Sequence, residues 1–501
     1  MFDFMPVFWD SLPLLVDPVT LLLIFAGYLI GMVIGALPGL GPTLAFGLML
    51  PFTFVMDPVS AVAFLLSISA AAMYSNSVPG ILLGVPGSTA AVMTAIDGYA
   101  LHRQGKSGLA LGVHLVGSAV GQVISIFFFL ALVVPLARLA YYFLAPELFA
   151  VFMVGMLAVV SLTGRNISKG LIAAGIGLAI GIIGFDPVGT TPRLDYGIYS
   201  LRLGIPVAPA LIGLLALSEL FRQARQTFLW QDTGAEFDMS FPKWGVLKKL
   251  WYPITSGTII GTLVGALPGA GGTPAALISY QQAQLASKHP EEFGKGSTEG
   301  IAANEAAQNA SYAGELIPTI GFGIPGSGSM ALLLGALAAQ GFAPGPRFIE
   351  VNPDLVSGLA AGMLGGTIFV VLTGWWMSKL LLRAVMLNRS AIIVVAMGVT
   401  IVGVFSLQLR TFDVVVCILC GVIGYLMLRY GYPPAAAALT AVLSADIESS
   451  FRIGLNLTRG SYIDFFTRPY TALIMAVALG VLLWGLRGQI KMSRLARTAA
   501  R

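Results

Sequence analysis

The chain has 501 residues, of which 57% are hydrophobic and only 10% charged, against about 25% charged in ordinary soluble domains. So few charges cannot cover the surface of a soluble protein this size, which excludes a large soluble enzyme and a disordered chain alike. The net charge of +5 then reports on orientation in a membrane rather than on nucleic acid.

A spanning helix needs about 20 apolar residues, and the chain has room for about 12 TM segments, broken helices and re-entrant hairpins included. Residues 123–134 (VISIFFFLALVV) are apolar on every side, unlike the alternating strands of a membrane β-barrel. The expected fold is an all-α polytopic membrane protein embedded in a lipid bilayer.

In chain order, the N-terminal segment carries Asp3, Asp10 and Asp17, and no Lys or Arg precedes Arg103. The positive-inside rule places this end outside, and the missing basic n-region predicts no signal-peptide cleavage. Gly35-Ala-Leu-Pro-Gly-Leu-Gly-Pro-Thr43 is the first interruption of an apolar run. Pro and Gly there break the helix and release backbone N–H and C=O groups, which survive in a membrane only where buried in protein or lining a wet cavity. The polar run Tyr74-Ser75-Asn76-Ser77 precedes a second break, Gly84-Val-Pro-Gly-Ser-Thr89. Asp97, with His102, Arg103 and Lys106, reads as a solvated loop, and Gly105-Lys-Ser107 has no other nucleotide signature with it. His114 and Arg138 lie in long apolar runs and read as interhelical or interfacial contacts.

Arg222, Arg225, Lys243, Lys248 and Lys249 mark a cytoplasmic linker over residues 222–250. Beyond it, Gly265-Ala-Leu-Pro-Gly-Ala-Gly-Gly-Thr273 repeats the first break. The polar run Asn304, Glu305, Gln308, Asn309, Ser311, Tyr312 and Glu315 leads to Gly323-Ile-Pro-Gly-Ser327 and Ser329, which repeat the second. Ser107-Gly-Leu-Ala-Leu-Gly112 returns as Ser357-Gly-Leu-Ala-Ala-Gly362. Cys417 and Cys420 read as small residues on a buried helix rather than a redox or metal motif; no metal site and no cofactor is expected. A hydrophobic segment near residues 470–485 has no counterpart and reads as an extra helix. The tail with Arg487, Lys491, Arg494, Arg497 and Arg501 reads as cytoplasmic.

Three landmarks recur in the same order, Pro38 at Pro268 (offset 230) and Pro86 at Pro325 (offset 239) among them. The chain approaches the first break from outside and the second copy from the basic linker, so the halves are expected to be inverted repeats, a plan of secondary transporters. The division is residues 1–221 for the first repeat, 222–250 for the linker, 251–450 for the second repeat, and 451–501 for the extra helix and tail.

Broken helices aim the amide ends of their second halves at the gap, which suits a carboxylate, while exposed carbonyls suit Na⁺. A single such motif can equally be a kink or a tight crossing; four in two symmetric pairs favour a site. The substrate-binding candidates are Gly39, Gly41, Thr43, Ser75, Asn76, Ser77, Gly87, Ser88, Thr89, Gly269, Gly271, Thr273, Asn309, Gly326, Ser327 and Ser329. The cation-coupling candidates are Asn304, Glu305 and Glu315, because ionisable and amide groups at membrane depth mark ion pathways. The coupling ion is Na⁺ or H⁺. No nucleophile–base constellation of a membrane enzyme is present; a passive channel is the other alternative, and uphill accumulation discriminates against it.

These residues resemble the large membrane subunit of the tripartite tricarboxylate transporter family of bacteria. The likeness rests on Leu37 to Thr43, Thr94-Ala-Ile-Asp-Gly-Tyr99, Phe293-Gly-Lys-Gly296 with Glu299-Gly300, Asn304 to Asn309, Gly323 to Ser327 and Gly341-Phe-Ala-Pro-Gly-Pro346. The resemblance implies an inner-membrane symporter subunit for citrate or other carboxylates. Its implied partners are a small four-helix membrane subunit and a periplasmic solute-binding protein, with a homodimer of the complex as one assembly. The family often has Tyr-Gly-Gly-Ser where this chain has Tyr74-Ser75-Asn76-Ser77, and a Leu-Gly segment before Glu where it has Leu443-Ser444-Ala-Asp446-Ile-Glu448. The first change abuts the proposed site. It leaves the solute open between a tricarboxylate, a related organic anion and a different small polar solute.

Overall fold

The computed structural model describes residues 5–140, 142–163, 166–186, 188–189, 191–225, 240–385, 389–480 and 482–483. The basic tail beyond Leu483 and the middle of the linker, 226–239, lie outside the described residues. The architecture is all-α and polytopic. Among the described residues, seven helices are long and apolar enough to cross a membrane, and five shorter apolar helices accompany them.

The helices begin with α1 (Met5–Leu14), α2 (Pro18–Ala36), α3 (Gly41–Met49), α4 (Pro58–Ser75), α5 (Val78–Leu83) and α6 (Val92–Arg103). Next come α7 (Ser107–Ala140), α8 (Ala145–Thr163), α9 (Ile167–Ile182) and α10 (Val207–Ala224). The second set is α11 (Trp251–Gly265), α12 (Gly272–Ala286), α13 (Thr298–Phe322), α14 (Gly328–Ala339), α15 (Pro353–Val385), α16 (Arg389–Gln408), α17 (Thr411–Tyr430) and α18 (Pro434–Leu457). A final short apolar helix, α19, covers Pro469–Gly480. The starts follow local chemistry. Asp17 and Asp57 cap α2 and α4, accepting from Thr20 N, and from Val59 N and Ser60 N, with Pro18 and Pro58 in the first turn.

The repeated motifs build the same local geometry twice. Gly84 and Gly323 both end a helix at φ +71°, a left-handed cap that glycine adopts without strain. The bonds at the two caps match at offset 239: Gly84 N to Gly80 O and Val85 N to Pro79 O, against Gly323 N to Thr319 O and Ile324 N to Pro318 O. Packing repeats too. A Cβ on Gly31 would stand 2.1 Å from Ile68 O, and one on Gly261 2.3 Å from Ala307 O. Gly27 and Gly35 meet Phe64 and Ala72, just as Gly257 and Gly265 meet Ala303 and Ser311. Small residues let these backbones touch where lipid gives no hydrophobic drive for association.

The halves exchange helices. Helix α7 packs along α13 and α15 packs along α4, while α9 lies on α18 and α17 on α10. Such reciprocal contacts have the form of an isologous interface. Gly117 and Gly121 meet Ala302 and Ala306, while Gly362 and Gly366 meet Ala63 and Ser67. The packing offset between α7 and α15 is therefore 245, not the 250 of the Ser107/Ser357 match. Residues 221 and 450, the provisional repeat boundaries, fall inside α10 and α18.

Outside the helices, β1 (Gly184–Phe185) pairs antiparallel with β2 (Pro192–Arg193). This hairpin is pinned to α18. Arg193 donates to both Glu448 oxygens at 2.7 and 2.9 Å, and Arg452 pairs with Asp186 at 2.5 Å. Cys417 and Cys420 are buried free thiols, and Gly213 of α10 rests on Cys417 O and Cys420 Cβ.

Candidate functional site

Each Pro-Gly break leaves a short non-helical tip, and the four tips converge. At the first, Gly39 and Gly41 take φ +80° and +50°; at its repeat, Gly269 and Gly271 take +72° and +64°. The first tip docks on the second break through Gly39 N to Gly87 O at 3.1 Å. Gly87 N in turn donates to Asn76 O at 2.8 Å. Gly87 lies against Asn76 and Gly326 lies against Glu315, a Cβ on either being 2.9 Å or less from that residue's backbone. The halves then meet. Thr43 Oγ1 and Ser329 Oγ are 3.0 Å apart, and Thr89 Oγ1 and Thr273 Oγ1 are 2.8 Å apart.

A cavity of about 460 Å³ opens on the first tip, lined by Gly39, Gly41, Thr43, Gly87, Ser88 and Thr89 from the breaks and by Ser218, Glu219 and Arg222 from α10. No side chain caps α3, so the N–H groups of its first turn are left to whatever enters. Ser88 Oγ is buried without a protein partner. Arg222 pairs with Glu219, and Gln223 donates to Glu219 and to Gly39 O, fixing this end of α10 to the tip. A guanidinium whose Nε and Nη2 are held by Glu219, a hydroxyl and a helix amino end around one hollow can hold an anion.

The remaining candidates are placed differently. Gly269, Gly271, Thr273, Gly326, Ser327 and Ser329 form the second pair of tips, where Ser327 caps α14 and donates to Glu315 Oε2 at 2.6 Å. Ser75, Ser77, Asn304, Glu305 and Asn309 are buried behind the tips. Ser75 donates to Gly31 O and Asn309 to Glu305 O. Asn304 donates to Ala90 O and Thr94. Asn76 Oδ1 accepts from Gln308 at 3.1 Å. None of these five, nor Asn76, lines the cavity. Glu305 is a hub: Oε1 accepts from Ser77 at 2.6 Å and Thr94 at 2.5 Å, and Oε2 from Ser118 at 3.1 Å and His114 Nδ1 at 2.9 Å. It ties α5, α6 and α7 to α13.

Two readings of the sequence are corrected. Asp97 is not in a solvated loop. It is fully buried in α6, accepting from Gly296 N, Ser297 N and Tyr280 OH at 2.9, 3.0 and 2.8 Å. It thereby docks Thr94–Tyr99 onto Phe293–Gly296. Arg222 is not part of an external linker but lines the cavity. The signal available for it was Glu219 and Arg222 at i, i+3 directly after an apolar run, on one helix face. His114 is an interhelical contact, as expected, and stacks on Tyr74 with centroids 4.4 Å apart.

A polytopic α-helical membrane protein with paired broken helices meeting around an anion-compatible hollow belongs to the class of membrane transporters. The chain belongs to the tripartite tricarboxylate transporter TctA family, whose sequence profile matches residues 21–439. It is thus the large membrane subunit of a transporter that includes other subunits. It is 34% identical over 485 residues, 95% of each chain, to an uncharacterised 52.8 kDa protein in the TAR-I ttuC' 3' region of Agrobacterium vitis. It is also 34% identical over 239 residues to an uncharacterised protein in the TAR-II ttuC' 3' region of the same organism, covering 47% of this chain and 97% of that one. No solved structure matches.

Proposed function

We propose that this chain is the transmembrane core of a binding-protein-dependent secondary transporter that imports a carboxylate by symport with Na⁺ or H⁺. The observation carrying this reading is the convergence of four tips, joined across the halves by the Thr43–Ser329 and Thr89–Thr273 hydrogen bonds, with the hollow beside the first pair. A volume of about 460 Å³ suits a small organic anion. The carboxylate accepts from the uncapped amides of α3, from Ser88 and from Arg222.

A periplasmic solute-binding protein delivers the anion and a small four-helix subunit flanks the core. The N-terminus is periplasmic and the C-terminus cytoplasmic, in the inner membrane. The repeats are inverted, so their tips move together with the flanking helices to expose the site alternately. Cation binding at the second pair of tips supplies the driving force.

The test is uptake into sealed vesicles carrying the assembled complex, with the binding protein outside. Anion accumulation that collapses when the imposed Na⁺ or H⁺ gradient is dissipated supports the reading. Equilibration without accumulation, or product formation in detergent without a sealed compartment, overturns it.

A further inference from the structure

The two pairs of tips superpose in sequence, but not in charge. At offset 239, Ser88 corresponds to Ser327, Gly87 to Gly326 and Asn76 to Glu315. The backbone contacts are the same: Gly87 rests on Asn76 Cα and O at 2.9 Å, and Gly326 rests on Glu315 Cα at 2.7 Å and O at 2.9 Å. Gly41 lies 4.0 Å from Ser88 Cβ and Gly271 lies 4.0 Å from Ser327 Cβ, measured from the Cβ each glycine lacks. The same fold therefore presents an amide on one side and a carboxylate on the other.

The surroundings follow the same split. At the first tip Arg222 and Glu219 stand together as an ion pair. At the second, Glu315 is 1% exposed, and among the described residues no Lys, Arg or His pairs with it. Among the described residues its side-chain donor is Ser327, on Oε2; Oε1 faces the bend at Gly271, 3.9 Å from the missing Cβ. The tip residues packed on it, Gly271, Gly326 and Ser327, bring no titratable group; Tyr312, one turn back on α13, is the nearest on its own helix. A buried carboxylate without a countercharge is costly. It needs a positive charge from outside the chain. Glu305, equally buried, already accepts from three hydroxyls and the His114 ring.

We propose that the pseudo-symmetric tips divide the charges: the first pair takes the carboxylate, and Glu315 at the second takes the positive charge that travels with it, as a proton on Oε1 or a monovalent metal ion against it. This rests on the reading of the chain as an ion-coupled anion transporter, but its test does not require transport.

The test uses the purified full chain in detergent micelles. One arm measures binding of ²²Na⁺ with choline as the replacing cation. The other records infrared difference spectra on pH change, in which a carboxyl gaining a proton gives its own band. The wild-type chain is expected to show one of the two signals, Na⁺ binding or the carboxyl band, and which one appears identifies the cation. Glu315→Gln abolishes that signal and Glu305→Gln keeps it, with both variants checked for monodispersity by size exclusion. Ser327→Ala, which leaves the carboxylate in place, shifts the midpoint at least threefold in Na⁺ or half a pH unit, and serves if Glu315→Gln fails to fold. A signal unchanged in Glu315→Gln or Ser327→Ala, one lost in Glu305→Gln, or neither signal in the wild type overturns the assignment. Failure of the transport reading would appear separately, as absent accumulation in vesicles.

Discussion

Glu305→Leu isolates the hub behind the tips. The pseudo-equivalent residue at offset 239 is Leu66, so leucine is a side chain that this helix position accommodates in the other half. Removing the carboxylate takes the acceptor from Ser77, Thr94, Ser118 and His114. Ser77 keeps Asn76 Oδ1 at 3.3 Å, and Ser118 keeps His114 Nδ1 at 3.3 Å. The Thr94 hydroxyl and one donor of the Ser118–His114 pair are then orphaned. At about 1–3 kcal/mol per unsatisfied buried donor, the loss comes to about 4 kcal/mol. His114→Leu in the same chain takes from Ser118 the partner it had kept and so exchanges one orphan for another, and the double variant is expected to cost about the same as Glu305→Leu alone. The assay is reversible unfolding in mixed micelles titrated with SDS. A single-variant cost below about 1 kcal/mol, or additive variants, would refute the hub, since coupled buried networks do not add.

Arg222→Leu is expected to weaken anion uptake about 10- to 100-fold, the worth of a charge-assisted hydrogen bond, with the effect in KM; unaltered KM removes Arg222 from the site. Gly31→Ala and Gly261→Ala drive a methyl to 2.1 and 2.3 Å from Ile68 O and Ala307 O, and each is expected to cost about 1–3 kcal/mol; a neutral result at either by thermal unfolding would contradict the close crossing. The amides of Val188 and Gly189, with the Arg452 guanidinium, hold the Asp186 carboxyl down at about 2, below its ordinary 3.8. A depressed carboxyl contributes stability fully above its unfolded value and loses it as pH falls through its folded one. Hydrogen-exchange protection of the Val188 and Gly189 amides should therefore stay constant from neutrality down to about 3.8 and fall only towards about 2; loss of protection above 3.8 would refute the lock.

The tips were legible because their causes are local. Pro-Gly in an apolar run breaks a helix wherever it falls, and two copies in register predict two copies of the cap, as Gly84 and Gly323 show. The glycine spacing of α2 and α11 acquires its meaning only from the backbones that it meets. What escaped depends on contacts between distant residues. Asp97 looks solvated beside His102 and Arg103 until residues 293–297 fold over it. Arg222 looks like the start of a basic linker until α10 turns its last turn to the cavity. Ser75, Asn76 and Ser77 read as one polar patch, yet each side chain finds a different partner: Gly31 O, Gln308 and Glu305. The helix exchange between halves leaves no mark in the sequence at all, because α7 and α15 are equally small-residue-rich on either arrangement.

The central claim is that tips from the two halves meet beside the anion. Cysteines at Thr89 and Thr273, whose hydroxyls are 2.8 Å apart, test it in the native membrane by oxidation with copper phenanthroline. The account predicts a rapid Thr89→Cys/Thr273→Cys crosslink that blocks uptake until reduced. A pair that stays reduced while uptake continues, with a short bis-thiol reagent also failing to bridge it, would contradict the account.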